Sequence, residues 1–232
     1  MKRFYTKAAA VAAGDEFAVE LDGKKLLTPA KQELRVPGRA LAEALAAEWQ
    51  GQGATVGPLT LPLTRLVSTA IDRVTPRRAD MIAEIVNYAA TDLLCYRADE
   101  PPELVARQRR IWQPLLDWAT ERHDAALIAT QGITPVPQPP AALAAIERAI
   151  AAYDAMLLVA LQLATTACGS VVLGLALLDG AVTPDEAFAA AQLDESYQIE
   201  RWGEDAEQTR RRAALKDDIA LAARFAALLR AD

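Results

Sequence analysis

The sequence predicts an α+β fold, with a small antiparallel sheet at the N-terminus followed by a larger, all-helical region. Between Arg3 and about Pro37, apolar and polar residues alternate as in strands, and Gly and Pro mark turns. From Leu63 onward, apolar residues recur at the spacing of helices. Because the strands come first and the helices after, we predict a β-containing N-terminal domain over residues 1–75 and a helical C-terminal domain over residues 76–232.

The N-terminal part contains a predicted hairpin and one helix. Alternation from Phe17 to Leu21 indicates a strand, and Asp22-Gly23 are the turn residues of a tight hairpin. Residues 34–36 are predicted as another short strand. A helix over residues 39–52 follows, ended by Gly51 and Gly53.

The C-terminal part is predicted to form a series of helices joined by short loops. Residues 131–140 hold four prolines and are predicted to be a loop. Thr183-Pro184-Asp185-Glu186 predicts a capping box at a helix start. The predicted helices span residues 64–74, 77–90, 103–122, 140–169, 171–178, 183–202 and 206–229.

Residues 155–178 carry no charged side chain and are long enough to cross a bilayer. Polar residues interrupt this stretch, and Gly169-Ser170 offers a break between two shorter helices. We therefore expect buried helices rather than a membrane span. A protein attached to a membrane through this stretch remains an alternative.

The composition argues against several kinds of partner. The net charge is -6, and no basic run could follow a phosphate backbone, so we expect no nucleic acid partner. The two cysteines, Cys95 and Cys168, lie far apart, which favours neither a metal knuckle nor a disulfide scaffold and fits a reducing compartment. We expect no metal and no cofactor.

No familiar catalytic motif is present. The single histidine, His123, lacks a recognisable nucleophile partner, and no phosphate-binding loop or zinc motif occurs. Asp194 and Glu195 are adjacent, so on a helix they point about 100° apart and cannot share one proton. A small-molecule hydrolase or transferase that uses Asp92, Asp194 or Glu195 is the alternative function from a different class.

The densest cluster of unusual residues lies between Leu193 and Asp205. On one continuous helix, Glu195 and Trp202 would lie within about 60° of an apolar stripe that also contains Phe188 and Ile199, with Leu193 and Tyr197 on the opposite side. A carboxylate within an apolar stripe suits a recognition surface, where apolar area supplies affinity and one charge supplies selectivity. Packing inside the domain, with Glu195 paired to an arginine, is the competing interpretation.

Several segments, in order along the chain, together resemble the assembly chaperones of the F-type ATP synthase that hold the alpha subunit of its catalytic head. The matching segments are Arg3-Phe4-Tyr5, Leu21-Asp22-Gly23-Lys24, Thr28-Pro29-Ala30, Glu48-Trp49, Pro62-Leu63-Thr64, Thr69-Ala70-Ile71-Asp72, Thr91-Asp92-Leu93-Leu94-Cys95-Tyr96, and Asp194-Glu195 through Tyr197-Gln198 to Trp202-Gly203. The resemblance implies a non-enzymatic chaperone that binds the free alpha subunit, shields its beta-contacting surface, and leaves when beta replaces it.

The resemblance also implies a set of client-binding residues. The family's acidic position falls at Asp194, with Glu195 beside it, and which of the two acids is critical stays open. Gln198 and Trp202 belong to the same segment, and Trp49 and Asp92 lie in other matching segments. We expect this protein to be a monomer in the bacterial cytoplasm. Eukaryotic relatives are expected in the mitochondrial matrix.

Overall fold

The computed structural model describes residues 2–132, 134 and 136–231. The chain forms two compact units: the first contains Met1–Arg78, Ala155–Ala160 and Arg224–Asp232, and the second contains Ala79–Asp154 and Leu161–Ala223. The predicted α+β class, with an N-terminal antiparallel sheet followed by a mostly helical region, is confirmed. The predicted domain boundary at residue 75 stays a prediction about where independently folding parts meet.

The first unit contains a four-stranded antiparallel sheet centred on β2. The strands are β1 (Ala8–Ala13), β2 (Glu16–Leu21), β3 (Lys24–Lys25) and β4 (Arg35–Val36). The β2–β3 turn is the predicted Asp22-Gly23 pair, and both residues have a positive φ, 51° and 77°. A positive φ at both central positions matches the right-handed twist of the flanking strands, which explains why aspartate and glycine occur there.

Two helices and a wider helical turn follow the sheet along the chain in the first unit. Helix α1 (Arg39–Gln50) packs on the sheet, its buried residues include Leu41, Leu45 and Trp49, and Gly51 follows its last residue. Helix α2 (Pro62–Thr69) continues into a π-helical turn (Ala70–Val74), where one regular helix over residues 64–74 was predicted.

The carboxylate of Glu48 fixes the start of α2 against α1. It accepts hydrogen bonds from the backbone N–H groups of Leu63 (2.8 Å) and Thr64 (2.9 Å) and from the Thr64 hydroxyl (2.7 Å). The first backbone N–H groups of a helix have no partner within the helix, so this carboxylate from a neighbouring helix replaces a local cap.

The second unit is helical apart from two short parallel strands, β5 (Tyr96–Arg97) and β6 (Thr130–Gln131), which were not predicted. Helix α4 contacts α5, α7 and α9, and its Trp112 is fully buried with the indole N–H donating to the carbonyl of Ala190 (2.9 Å). The helices from Arg78 onward are α3 (Arg78–Ala90), α4 (Pro102–His123), α5 (Pro140–Ala151), α6 (Ala155–Cys168), α7 (Val171–Asp179), α8 (Pro184–Ala191), α9 (Leu193–Trp202) and α10 (Ala206–Leu229).

Two predicted helices are each divided in the structure. The predicted helix over residues 140–169 breaks between α5 and α6, where Asp154 stands at a position that aspartate favours before a helix start. The predicted helix over residues 183–202 breaks at Gln192, whose φ and ψ are -109° and 25°. The prediction that Phe188 shares one helical stripe with Glu195 and Trp202 required a continuous helix. The break at Gln192 changes the helical phase between α8 and α9, so this prediction does not hold.

The remaining sequence predictions for this region have mixed outcomes. The capping box at Thr183 and Glu186 is confirmed, as is the break at Gly169-Ser170. Within the predicted loop, Gln131 belongs to β6, Pro140 begins α5, and Ile133 and Pro135 lie outside the described residues. Among the described residues, no helix combines the length and the apolar character needed to cross a membrane.

Asp92 joins two segments of the second unit. Its side chain is fully buried, and its carboxylate accepts hydrogen bonds from the backbone N–H groups of Leu94 (3.1 Å) and Val172 (3.2 Å). It therefore caps the short 3-10 turn at Leu93–Cys95 and also the N-terminus of α7. Burial raises the pKa of Asp92 to about 6, although hydrogen bonds from Ser170 and from backbone N–H groups oppose the rise.

Replacement of Asp92 by alanine should destabilise the protein. Asp92→Ala leaves the N–H groups of Leu94 and Val172 without this acceptor, and we expect the free energy of unfolding to fall by about 2 to 3 kcal/mol. Chemical denaturation followed by circular dichroism measures this change. Asp15→Asn, at an exposed turn, is the control and should leave stability close to that of the wild type. An equal effect of both changes would contradict the role assigned to Asp92.

The raised pKa of Asp92 also predicts a pH dependence. The folded protein holds this proton up to a pKa of about 6, whereas an unfolded aspartate releases it near 3.8. The contribution of Asp92 to the free energy of unfolding therefore falls as pH rises from about 4 to about 6, by up to about 3 kcal/mol. Asp92→Asn cannot titrate, so its stability deficit relative to wild type should shrink between pH 4 and pH 7. A deficit independent of pH would contradict this prediction.

Candidate functional site

Helix α9 presents one buried face and one exposed face. Leu193 and Tyr197 are buried, whereas Glu195, Gln198 and Trp202 are exposed, and the Trp202 side chain is among the most exposed large apolar groups, at 77%. These three exposed residues occupy positions i, i+3 and i+7, which lie on one side of a helix. We call Glu195, Gln198 and Trp202 the outer stripe.

Asp194 lies next to Glu195 but points toward the protein. Its carboxylate accepts a hydrogen bond from the side-chain N–H of Gln108 on α4 (2.8 Å). The side-chain carbonyl of Gln108 in turn accepts from the backbone N–H of Ala98 (2.8 Å), and Gln108 is only 1% exposed. The buried amide thus joins the segment after β5, helix α4 and the first turn of α9.

The environment of Asp194 changes its acidity. Burial raises the pKa of its carboxyl group, and the hydrogen bond from Gln108 partly offsets that rise by stabilising the charged form. The carboxylate also lies in the first turn of α9, where the helix dipole favours negative charge. Asp194 is therefore suited to hold α9 in place.

Tyr197 anchors the middle of α9 between two arginines. The guanidinium groups of Arg201 and Arg107 lie 4.3 Å and 5.4 Å from the centre of its ring, within the range of cation–π attraction. Arg107 also pairs with Glu200 at 2.7 Å, and Arg201 lies 3.7 Å from Glu103. Exposed pairs of this kind each add little stability, but both connect α9 to α4.

The other side of α9 is held by α10. Arg212 donates to the hydroxyl of Ser196 (3.1 Å) and pairs with Glu204 (3.3 Å). Gly203 ends α9 with a φ of 82°, a conformation that favours glycine. The outer stripe consequently stands on a helix whose position is fixed from two directions.

The other predicted site residues are buried. Trp49, in the first unit, is 5% exposed, and its indole N–H donates to the Thr64 hydroxyl (2.9 Å). Asp92 is fully buried in its capping role. In this conformation neither side chain offers an exposed surface comparable to the outer stripe, so their immediate contributions are to the fold.

The groups of the alternative enzymatic interpretation are not gathered in either described cavity. A cavity of about 380 Å³ in the second unit is lined by residues of α4, β5 and β6, and a groove of about 690 Å³ lies in the first unit. Neither lining includes Asp92, Asp194 or Glu195. Among the described residues, no group of three or more His, Cys, Asp or Glu side chains could hold a metal ion.

The two cysteine thiols are buried and the histidine is largely buried, so all three side chains contribute to packing. Cys95 and Cys168 are buried, and burial raises the pKa of each thiol to about 12, which leaves both protonated and unreactive near neutral pH. The His123 side chain is 13% exposed and packs edge-on against Trp118, with ring centres 5.2 Å apart. Burial lowers the pKa of His123.

Sequence reasoning missed the residues that support α9. Gln108, Arg107 and Glu103 lie in a strongly polar stretch of α4, where hydrophobic periodicity gives no signal for a single buried amide. Only the position of Asp194 in the structure identifies Gln108 as its partner.

Comparison with known proteins relates the chain to one chaperone family and to solved structures of similar fold. A family model described as ATP12 chaperone protein matches residues 2–120. The chain is similar to the crystal structure of Atp12 from Paracoccus denitrificans, with a TM-score of 0.94 and 39% identity over 98% of each chain. It is also similar to the structure of the Atu1473 protein from Agrobacterium tumefaciens, with a TM-score of 0.92 and 41% identity over 99% of this chain and 85% of that chain.

A curated relative extends the comparison to a eukaryote. The mitochondrial protein atp12 of Schizosaccharomyces pombe is 27% identical over 214 residues, which cover 87% of this chain and 74% of that protein. The similarity therefore reaches well beyond the residues that the family model matches.

The support of α9 by Gln108 can be tested by stability. Gln108→Ala leaves the Ala98 N–H and the half-buried Asp194 carboxylate without their partner and opens a small cavity, so we expect the free energy of unfolding to fall by about 2 to 4 kcal/mol. Gln198→Ala, the same change at an exposed position of α9, is the control and should cost less than about 0.5 kcal/mol. Equal losses in urea denaturation would show that the buried amide has no special role.

Proposed function

The chain belongs to the ATP12 chaperone family, which serves ATP synthase assembly, and from this premise we propose that it binds the free alpha subunit of the F-type ATP synthase head. It shields the alpha surface that later contacts the beta subunit and leaves when beta replaces it. A chaperone is not an enzyme class, and we propose no catalytic step. We expect it to act as a monomer in the bacterial cytoplasm.

The observation that carries this proposal is the outer stripe. Tryptophan is enriched among the residues that dominate binding energy, and Trp202 is 77% exposed on a helix held in place by its neighbours. Glu195 and Gln198 lie beside it and supply a charge and an amide that select among apolar partners. An exposed apolar surface on an unassembled subunit is an aggregation hazard, which such a stripe would cover.

The rigid support of α9 favours binding. Association costs free energy when side chains and segments must be ordered at the interface, and a helix that is already fixed avoids much of that cost. The contacts of Asp194, Tyr197 and Arg212 all act behind the outer stripe. The client therefore meets a preformed surface.

The two adjacent acids take different roles in this proposal. Glu195 is exposed and contacts the client, whereas Asp194 positions α9 through Gln108. Release requires only that the final alpha–beta interface be tighter than the chaperone interface. Competition for one surface then removes the chaperone without nucleotide hydrolysis.

Substitutions in the outer stripe test the proposal directly. Glu195→Lys and Trp202→Ala should each weaken binding to purified alpha subunit by about tenfold or more, because the first reverses a charge and the second removes an aromatic anchor. Their melting temperatures should stay near that of the wild type, since both side chains are exposed. Affinity is measured by titration, and function by suppression of alpha aggregation.

Two further variants serve as controls: one tests the effect of charge alone, and the other tests the structural role of Asp194. Glu147→Lys, an equal charge change at an exposed site on α5, should bind as the wild type does. Asp194→Lys should lower the melting temperature, because its side chain is half-buried and bonded to Gln108. A wild-type protein that does not bind alpha would refute the proposed function. Normal binding by Glu195→Lys and Trp202→Ala would refute the use of α9.

A further inference from the structure

The first unit carries an open groove, and none of its lining residues belongs to the outer stripe. The groove has a volume of about 690 Å³, which falls in the usual range of about 300 to 1,000 Å³ for ligand sites. Its lining includes the loop around Leu27–Ala30, the buried Trp49 and one side of α2. We call it the α2 groove.

One face of α2 and of the π-helical turn contributes to the lining of the groove. Leu61, Arg65, Ser68, Thr69 and Asp72 line it at helical spacing. Other chain segments contribute Leu27, which is 51% exposed, and Pro58, next to Leu59, which is 85% exposed. Two large apolar side chains are thus left in solvent at or beside the groove.

The polar groups inside the groove are largely occupied by internal hydrogen bonds. Asp72 accepts from the Thr28 hydroxyl (2.6 Å) and from the backbone N–H of Ala30 (3.0 Å). The Trp49 indole donates to Thr64, and the Thr69 hydroxyl donates to the carbonyl of Arg65. With these groups paired, the groove presents mainly apolar surface to an occupant.

The charges at the groove are unbalanced. Asp72 has both carboxylate oxygens engaged by neutral donors, while Arg65 and Arg73 are exposed lining residues. Among the residues that the structure describes, neither guanidinium group has a carboxylate within ion-pairing distance. An occupant that brings an acidic side chain would complement these arginines.

Four of the segments that carry the family resemblance contribute residues to the groove. Thr28-Pro29-Ala30 and Thr69-Ala70-Ile71-Asp72 are joined by the Asp72 hydrogen bonds, and Glu48-Trp49 is joined to Pro62-Leu63-Thr64 by the Glu48 carboxylate and the Trp49 indole. Segments far apart in sequence therefore build one surface.

We propose that the α2 groove is a second contact site for the client and takes an apolar segment of the free alpha subunit that carries an acidic side chain. This inference rests on the proposed function. The apolar floor accepts the segment's side chains, and Arg65 and Arg73 pair with its acid. Two separate contact sites on one client raise the overall affinity beyond that of either alone.

A fluorescent label placed in the groove tests occupancy. Thr69→Cys introduces one accessible thiol, because the native cysteines are buried and protonated. With an environment-sensitive dye at this position, addition of alpha subunit should shift the emission to shorter wavelength. The same dye at Asp15→Cys, in an exposed turn, should not respond. A response to oleate but not to alpha would identify a fatty-acid site and overturn the inference.

Charge reversal tests the acidic partner. Arg65→Glu and Arg73→Glu should each weaken alpha binding about tenfold, because opposed charges become like charges. Arg77→Glu, an exposed arginine that does not line the groove, is the matched control and should change affinity less than about twofold. Melting temperatures verify that each variant folds.

The outcomes separate this inference from the proposed function. If wild-type protein binds alpha but the groove variants bind equally well, or the control loses as much affinity as they do, the groove inference is wrong and the proposed function stands. If wild-type protein does not bind alpha, both are wrong. Loss confined to Arg65→Glu and Arg73→Glu, with a dye response at position 69, supports the groove.

Discussion

The buried amide of Gln108 is the interaction on which the geometry of α9 depends. One end accepts from the backbone of Ala98, and the other donates to Asp194. Glu48 and Asp92 follow the same rule, because each places a side-chain acceptor against a backbone N–H group of a distant segment. A buried N–H without an acceptor is costly, so each of these side chains specifies one arrangement of its two segments.

Local signals in the sequence predicted those parts of the fold that local chemistry controls. Asp22-Gly23 and Thr183 with Glu186 could be assigned because turn and cap preferences act over a few residues. The break at Gln192 could not, since apolar periodicity continues on both sides of a single non-helical residue. β6 pairs with a strand over 30 positions away, and such short parallel strands leave no pattern of their own.

The candidate site shows a similar division. The sequence identified the segment that contains Asp194 and Glu195, and it showed that these adjacent side chains cannot share one proton as a catalytic pair. It could not show which of the two acids faces outward. That choice depends on Gln108, a residue with no local signal. Trp49 and Asp92 show the complementary problem, because a resemblance marks residues needed for folding as readily as residues exposed to a partner.

The exposure of Trp202 has a consequence for the protein in the absence of its client. A solvent-facing indole would attract other apolar surfaces, including the same residue on a second copy. Each copy carries a net charge of -6, so two identical molecules repel one another at low ionic strength. Colloidal repulsion between like molecules can thus coexist with adhesion to a different one, and raising the salt concentration weakens the protection that charge gives.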